Sequence, residues 1–148
     1  MSNYISMKNE IAYILNKEDD RISTLANASA IINNHLANVN WVGFYILKNN
    51  ELVLGPFQGN SACTRISLAR GVCGKCAREK SSIIVPNVLE FPGHIACDCN
   101  SQSELCIPLI VDDKLYGLLD IDSPLINRFN ESDREALEEI CKLIEERL

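Results

Sequence analysis

Residues 41–54 read WVGFYILKNNELVL, and this stretch decides the fold class. Its first half, residues 41–47, is rich in the aromatic and β-branched side chains that favour strands. The polar residues 48–50 follow, and apolar residues resume over 51–54. Two short apolar runs on either side of a tight polar turn predict a β-hairpin.

A second hairpin is predicted further along the chain. Strands are expected at residues 104–111 and 114–122, since the two aspartates between them suit a tight turn. Shorter strands are expected at residues 64–68 and 83–85. Strands that follow one another through short turns favour an antiparallel sheet.

Helices are predicted at both ends of the chain. Apolar residues recur at helical spacing over 5–18 and 20–36, and again in a C-terminal helix whose capping box is predicted at residues 132–135. A short helix is expected at residues 72–80, before a long loop over 86–101 of the kind that carries function. This order of elements predicts an α+β fold with helices on one side of the sheet.

Composition restricts the function classes. The chain has 148 residues, of which 47% are hydrophobic and 23% charged, so it can bury a core and we expect one domain over residues 1–148. Its 14 basic and 20 acidic residues give a net charge of −6, which disfavours nucleic acid as a partner. Since no apolar run approaches a membrane span and the start lacks signal-peptide features, we expect a cytoplasmic protein without a membrane partner.

Seven cysteines are many for such a chain, and their odd number argues against a disulfide framework. Redox chemistry or metal binding is favoured. Cys97 is the most suggestive thiol because it lies in the long loop, three residues after His94, and a nearby cation would favour the reactive thiolate. A spare, reduced loop cysteine remains the alternative. Cys141 lies on the apolar stripe of the last helix and is expected to be a small buried hydrophobe.

Acidic residues form a second constellation. Asp120 and Asp122 are two apart in a strand and therefore share one face, while Leu119 and Ile121 point to the other. Glu104, at the start of the preceding strand, can bring a third carboxyl group. Crowded carboxylates raise at least one pKa, which leaves a proton donor near neutral pH, and they also bind an ammonium group. The alternative is a strand end that simply reaches solvent.

Two aromatic residues form the third constellation. Trp41 and Tyr45 are four apart on a strand and share a face, so they can form the wall of a small-molecule pocket. Packing in the core is the alternative, because large aromatics dominate core burial.

Five segments taken together carry a more specific signal, along with the spacing of three cysteines. The segments are residues 40–45, 70–74, 94–98, 103–104 and 119–124, and the cysteines are Cys63, Cys73 and Cys97. In this order they resemble the free methionine-(R)-sulfoxide reductases, single-domain enzymes of the GAF fold. The resemblance implies a central antiparallel sheet with the N- and C-terminal helices on one face. Loops and a short helix would cover a pocket on the other face.

The resemblance also implies a thiol mechanism without a cofactor or metal. Cys97 would attack the sulfur of free L-methionine (R)-S-oxide and become a sulfenic acid. Cys63 matches the usual resolving position, and Cys73 could relay the disulfide. An external dithiol protein such as thioredoxin would restore the thiols. A homodimer is expected from the family.

Substrate binding follows from the same resemblance. The residues implied are Trp41, Tyr45, Ile95, Ala96, Glu104, Asp120 and Asp122. The carboxyl groups would bind the substrate ammonium group and donate protons to the sulfoxide oxygen. The rings would enclose the S-methyl group, and the backbone N–H groups near Ile95 and Ala96 would bind the carboxylate.

Three extra thiols, Cys76, Cys99 and Cys106, leave the disulfide partner open. A GAF-type sensor of a small ligand or of redox state is the main alternative, although the acidic cluster would repel a nucleotide phosphate. A four-thiolate zinc site is a further alternative, with Cys73-x-x-Cys76 and Cys97-x-Cys99 as ligands. Its second pair has only one intervening residue, which is atypical of zinc knuckles.

Overall fold

The computed structural model describes residues 2–94 and 100–148, and predictions that fall on residues 95–99 lie outside the described residues. The strands within the described ranges are β1 (Trp41–Lys48), β2 (Glu51–Gly59), β3 (Arg65–Ser67), β4 (Ile83–Val85), β5 (Ser103–Val111) and β6 (Lys114–Ser123). They form one antiparallel sheet in the order β3-β2-β1-β6-β5-β4.

Helices flank this sheet. They are α1 (Ser2–Ile14), α2 (Arg21–His35), α3 (Gly71–Glu79) and α4 (Glu131–Glu145), with a short 3-10 helix at Val88–Glu90. Among the described residues, no helix is long and apolar enough to cross a membrane. The predicted α+β class is confirmed.

Both predicted hairpins are present, and their turns share one geometry. The turn between β1 and β2 has positive φ at Asn49 and Asn50, 52° and 62°. The turn between β5 and β6 repeats this at Asp112 and Asp113, 53° and 62°. Two consecutive left-handed residues match the strand twist of a two-residue hairpin, and Asn and Asp tolerate that conformation. Because β1 also pairs with β6, the two hairpins lie side by side at the centre of the sheet.

The two faces of the central strands differ in composition. One side, here called the helix face, is apolar and packs against α1, α2 and α4; its strand residues are Val42, Phe44, Leu105, Ile107, Leu109, Leu119 and Ile121. The other side, here called the pocket face, consists of Trp41, Tyr45, Glu104, Cys106, Leu118, Asp120 and Asp122. The helix α3 covers part of the pocket face through Val72, Cys73 and Cys76. Each large apolar side chain fully buried on the helix face stabilises the fold by about 1.5–3 kcal/mol.

Element boundaries differ from the sequence prediction where polar side chains end or start a helix. The helix α1 ends at Ile14, not at residue 18, and the side chain of Asn16 accepts a hydrogen bond from the backbone N–H of Glu18 at 3.0 Å. The side chain of Asp20 then caps α2 by accepting from the backbone N–H of Ile22 at 2.8 Å. Local hydrogen bonds of this kind compete with helical ones.

The capping box of α4 was predicted at the wrong residues. The N-cap is Asn130, whose side chain accepts from the backbone N–H of Asp133 at 2.9 Å. The Asp133 carboxylate accepts in return from the backbone N–H of Asn130 at 3.0 Å. The N-cap therefore lies two residues before the predicted one, Ser132, which lies inside the first turn. Asn130 and Asp133 form hydrogen bonds with the free N–H groups at this end of the helix.

Strand β2 extends to Gly59, five residues beyond its predicted end. Gly55 and Pro56 usually interrupt strands, but here they lie where the pairing of β1 with β2 shifts register between Gly43 and Tyr45. Pro56 has no N–H group to donate, and at the irregularity none is required for pairing. Regular pairing with β1 resumes beyond it.

Candidate active site

The pocket face carries three carboxyl groups at the centre of the sheet. In the strand register Asp120 lies between Gly43 on β1 and Cys106 on β5. Two residues further along β6, Asp122 lies opposite Glu104. Glu104 and Asp120 are each only 6% exposed, so these acids do not belong to a strand end that reaches solvent. The predicted juxtaposition of the three carboxyl groups is confirmed.

Burial and mutual repulsion govern the protonation of these acids. Loss of hydration raises the pKa of Glu104 well above its usual range, and the charges of Asp120 and Asp122 raise it further. Burial also raises the pKa of Asp120, against the opposing effect of hydrogen bonds with Glu104 and Cys73. Oδ1 of Asp120 is buried and has no hydrogen-bond partner among the described residues. Burial of such a group favours either a proton or a bound cation on it.

An aromatic wall stands beside the carboxyl groups. The rings of Trp41 and Tyr45 stack with centroids 6.0 Å apart and planes 23° apart. The indole N–H of Trp41 donates to the carbonyl of Asn60 at 3.0 Å, and the hydroxyl of Tyr45 donates to the carbonyl of Cys63 at 2.9 Å. The Trp41 ring lies across Gly43, where a Cβ atom would come within 2.7 Å of it. The wall is thus held at both polar ends, and it both packs in the core and lines a cavity.

The helix α3 brings a thiol to the carboxyl groups. It starts at Gly71, whose φ of 72° turns the chain onto the pocket face, and Gly74 lets it pack closely, since a Cβ there would lie 2.9 Å from the Ser67 carbonyl oxygen. Sγ of Cys73 then lies 3.8 Å from Oε2 of Glu104 and 3.7 Å from Sγ of Cys106. The thiols and the acids form one buried polar group under the cavity.

The cysteines near the cavity are in two states, free thiol and disulfide. The hydrogen bond with Cys106 lowers the pKa of Cys73, but burial and the charges of the nearby aspartates outweigh it and raise that pKa to about 12. Burial also raises the pKa of Cys106 well above its usual range. Both are therefore protonated at neutral pH and weakly nucleophilic. Cys63 is disulfide-bonded, whereas Cys73, Cys76, Cys106 and Cys141 are free.

A small cavity that is open to solvent lies over this arrangement. The sequence-predicted residues that line it are Trp41, Tyr45, Cys73, Glu104, Asp120 and Asp122. Its other lining residues include His94 and Ser101, which the tertiary fold brings to the cavity. A cavity with an apolar wall and a few convergent polar groups is typical of a small-molecule site.

Comparison with known proteins places the chain in a family. A model of the GAF domain matches residues 20–148. The free methionine-R-sulfoxide reductase of Escherichia coli (strain K12) is 40% identical over 142 residues, which cover 96% of this chain and 86% of that protein. The enzyme of the same name from Saccharomyces cerevisiae is 43% identical over 131 residues, 83% of this chain and 73% of its own. The chain belongs to the GAF family of free methionine-R-sulfoxide reductases.

A solved structure agrees with this membership. The reduced form of fRMsr from Staphylococcus aureus superposes with a TM-score of 0.95 at 48% identity, and the match covers 99% of this chain and 95% of that one. The predicted GAF fold, with the N- and C-terminal helices on one face and a short helix over a pocket on the other, is confirmed.

Several of the residues discussed from the sequence are not among those that line the cavity in the described part of the chain. Ile95, Ala96, Cys97 and Cys99 are outside the described residues. Cys141 is 1% exposed within the helix-face core, as expected for a small buried hydrophobe.

Sequence reasoning assigned too little to two residues of the site. From the sequence, His94 was considered only as a possible cation near Cys97. In the structure it lines the cavity, and burial lowers its pKa. Cys106 was treated as an extra thiol, yet it touches Cys73. The strand period held the missing signal, because Cys106 is two residues after Glu104 and must share its face.

Proposed function

We propose that this protein is a cytoplasmic reductase that converts free L-methionine (R)-S-oxide to L-methionine. The observation that carries the proposal is the group of three carboxyls, two of them buried, beside the Trp41–Tyr45 wall, with a thiol at its edge. The family supports it, because relatives across nearly the whole chain are named free methionine-R-sulfoxide reductases.

The carboxyl groups select the free amino acid. A free methionine sulfoxide carries an ammonium group, which a residue inside a peptide lacks. The ammonium group would bind Asp120, whose buried Oδ1 has no hydrogen-bond partner among residues 2–94 and 100–148, and it would offset the repulsion with Glu104 and Asp122. Peptide-bound methionine sulfoxide would leave these acids without a cation.

The remaining wall of the cavity handles the sulfoxide end. Trp41 and Tyr45 are each 2% exposed, and their rings would enclose the S-methyl group and exclude water. Glu104, whose pKa is raised by burial and by the charges of Asp120 and Asp122, would donate a proton to the sulfoxide oxygen as the sulfur–oxygen bond breaks. The backbone N–H groups of Ile95 and Ala96 would bind the substrate carboxylate.

The chemical step is a two-electron reduction of the sulfoxide sulfur. Cys97 as thiolate would attack that sulfur, the oxygen would pass to the cysteine, and the products would be methionine and a Cys97 sulfenic acid. The thiol of Cys63 would then condense with the sulfenic acid, releasing water and forming a disulfide. The disulfide bond of Cys63 in this structure is the oxidised state that such a step would leave, and the carbonyl of Cys63 accepts a hydrogen bond from Tyr45 at the cavity wall.

Recycling would use Cys73 and an external dithiol. Cys73 lies in the cavity lining, 3.8 Å from Glu104. Once Glu104 has given its proton to the sulfoxide oxygen it is a carboxylate, and it could then accept the Cys73 proton when Cys73 attacks the Cys63 disulfide. A dithiol protein such as thioredoxin would then supply two electrons and restore all thiols. We expect the enzyme to act as a homodimer.

The test is methionine release from chirally resolved free (R)- and (S)-sulfoxides, with dithiothreitol as reductant and a peptide-bound sulfoxide alongside. Activity confined to the free R epimer is expected. Equal activity on the peptide would contradict selection by the carboxyl groups, and no activity on any sulfoxide would refute the reductase.

The thiol order is tested with three serine substitutions. Cys97→Ser should lower turnover by about 1,000-fold or more, since it removes the attacking group. Cys63→Ser should release about one methionine per chain in a first turnover and then stall with thioredoxin. Cys141→Ser, on the helix face, is the matched control and should turn over normally. Normal recycling in Cys63→Ser would assign the resolving role to another thiol.

A further inference from the structure

Four donor atoms converge beneath the cavity. They belong to Cys73, Glu104, Cys106 and Asp120, which are all buried, and one donor atom from each lies within 4.8 Å of the other three. The two sulfur atoms are 3.7 Å apart, and Sγ of Cys73 is 3.8 Å from Oε2 of Glu104. Two sulfur and two oxygen ligands thus lie close together. One of them, the Cys106 thiol, has no part in the proposed reaction.

These separations fit a tetrahedral zinc ion. With Zn–S near 2.3 Å and Zn–O near 2.1 Å, tetrahedral angles put two sulfur ligands about 3.8 Å apart and a sulfur and an oxygen about 3.6 Å apart. The observed 3.7 Å and 3.8 Å lie within about 0.2 Å of those values. The other four separations are each within 4.8 Å, so the remaining donor atoms would move toward the ion as the site closes around it.

A second observation points to a cation at this place. Asp120 is only 6% exposed, and its Oδ1 has no hydrogen-bond partner among the described residues. A buried carboxylate oxygen in that state carries a desolvation penalty that a bound cation removes. Thiolate ligands favour zinc over magnesium or calcium, which prefer oxygen alone.

We propose that the reduced protein binds one Zn²⁺ through Sγ of Cys73 and Cys106 and one carboxylate oxygen each from Glu104 and Asp120, and that this ion blocks the substrate pocket. Binding displaces the two thiol protons and any proton held by the Glu104 and Asp120 carboxyl groups; all of these protons pass to solvent, and no electrons are transferred. The ion occupies carboxyl groups that the ammonium group of the substrate needs, so zinc and substrate compete. Binding rests on the geometry alone, whereas the inhibition rests on the proposed function.

The role of Cys106 separates this site from others. Cys106 has 0% exposure and lies outside the proposed reaction, so its loss should remove a metal ligand without removing a reacting group. Zinc held by the pairs Cys73-x-x-Cys76 and Cys97-x-Cys99 would not depend on Cys106. Cys141, on the opposite face of the sheet, offers a matched control for the same substitution.

The experiment measures the Zn²⁺ dissociation constant of the fully reduced protein by competition with a chromophoric chelator. The wild type should bind one ion per chain, Cys106→Val should bind about 100-fold more weakly, and Cys141→Val should match the wild type. An unchanged constant in Cys106→Val would overturn the site, and so would the absence of zinc binding by the wild type.

Two further measurements keep the proposal testable if Cys106→Val does not fold. Asp120→Asn removes an anionic ligand and should also weaken zinc binding, whereas an unchanged constant would exclude that carboxylate. Co²⁺ bound to the wild type should give a tetrahedral spectrum with charge-transfer bands from two thiolates. A spectrum of four thiolates or of none would overturn the assignment.

Inhibition is measured separately from binding. Zinc at saturating concentration should suppress reduction of the free R sulfoxide by the wild type, and the same concentration should spare Cys106→Val. Inhibition of both to the same degree would overturn the blocking role. Absence of activity without zinc would refute the proposed reductase while leaving the binding measurement valid.

Discussion

The two faces of the central sheet are made by the same strands and differ in almost everything else. On the helix face, Leu119 and Ile121 have 0% exposure and belong to the apolar core. On the pocket face, Asp120 lies between them in sequence and is nearly as buried, but it meets carboxyl and thiol groups. One side of a sheet can therefore stabilise the strands while the other side holds groups that oppose folding.

The packing of the helix face offsets the cost of burying crowded carboxyl groups on the pocket face. Crowded acids raise the pKa of Glu104 through burial and repulsion, which means that ionising them in the folded state is unfavourable. Such groups persist only where the surrounding structure over-determines their position. Here α1, α2 and α4 anchor the opposite side of the same strands.

The largest effect on stability is expected on the helix face. Phe44→Ala removes a fully buried ring and should lower the free energy of unfolding by about 3–5 kcal/mol, measured by urea denaturation. Turnover per folded molecule at low temperature should change little, because Phe44 points away from the cavity. A large loss of turnover in the folded fraction would show that the two faces are not separable.

The neighbouring residue tests the pocket face of the same strand. In Gly43→Ala, the new Cβ would lie 2.3 Å from Cβ of Phe57 and 2.7 Å from the Trp41 ring, so both must shift. Overpacking of this kind lowers the free energy of unfolding by about 1–3 kcal/mol. Here KM for the free sulfoxide should also rise, since the aromatic wall moves.

Gly55→Ala is the control for that prediction. Its Cβ would meet the Phe44 carbonyl oxygen at 3.1 Å, a milder contact away from the cavity, so KM should stay constant. An equal rise of KM in both variants would mean that general loosening of β1 and β2, and not the position of Trp41, sets substrate affinity.

The smallest change in stability has the opposite sign. Asp120→Asn removes a buried acid whose folded-state pKa is raised, so in chelator-treated protein at pH 8 it should raise the free energy of unfolding by about 1 kcal/mol. The sign follows from linkage: the wild type loses stability as pH rises above the unfolded pKa of about 3.9, so the gain should vanish in more acidic solution.

The same variant should lose function while it gains stability. Without the anionic partner for the ammonium group, kcat/KM for the free R sulfoxide should fall about 100-fold. Asp112→Asn, at an exposed turn, serves as the control and should change neither quantity. A stabilised variant with full activity would remove Asp120 from substrate binding.

Local patterns were sufficient for most elements and for part of the site. The hairpins were predictable because strand runs and two-residue turns are encoded by neighbouring residues, and Asp120 and Asp122 share a face by strand period alone. The true cap at Asn130 and the extension of β2 past Pro56 were not predictable in this way. Both depend on which of several competing hydrogen bonds the rest of the molecule favours.

The sequence by itself determined the fold class, the pairing of strands within each hairpin, and the family, because these follow from periodicity and from motifs in order along the chain. Only the tertiary structure decided that β1 pairs with β6 and that α3 packs over them. That packing brings Cys73 to Cys106 and Glu104 across more than 30 residues of chain. Contacts at such separation are fixed by burial of the whole sheet, which no local pattern records.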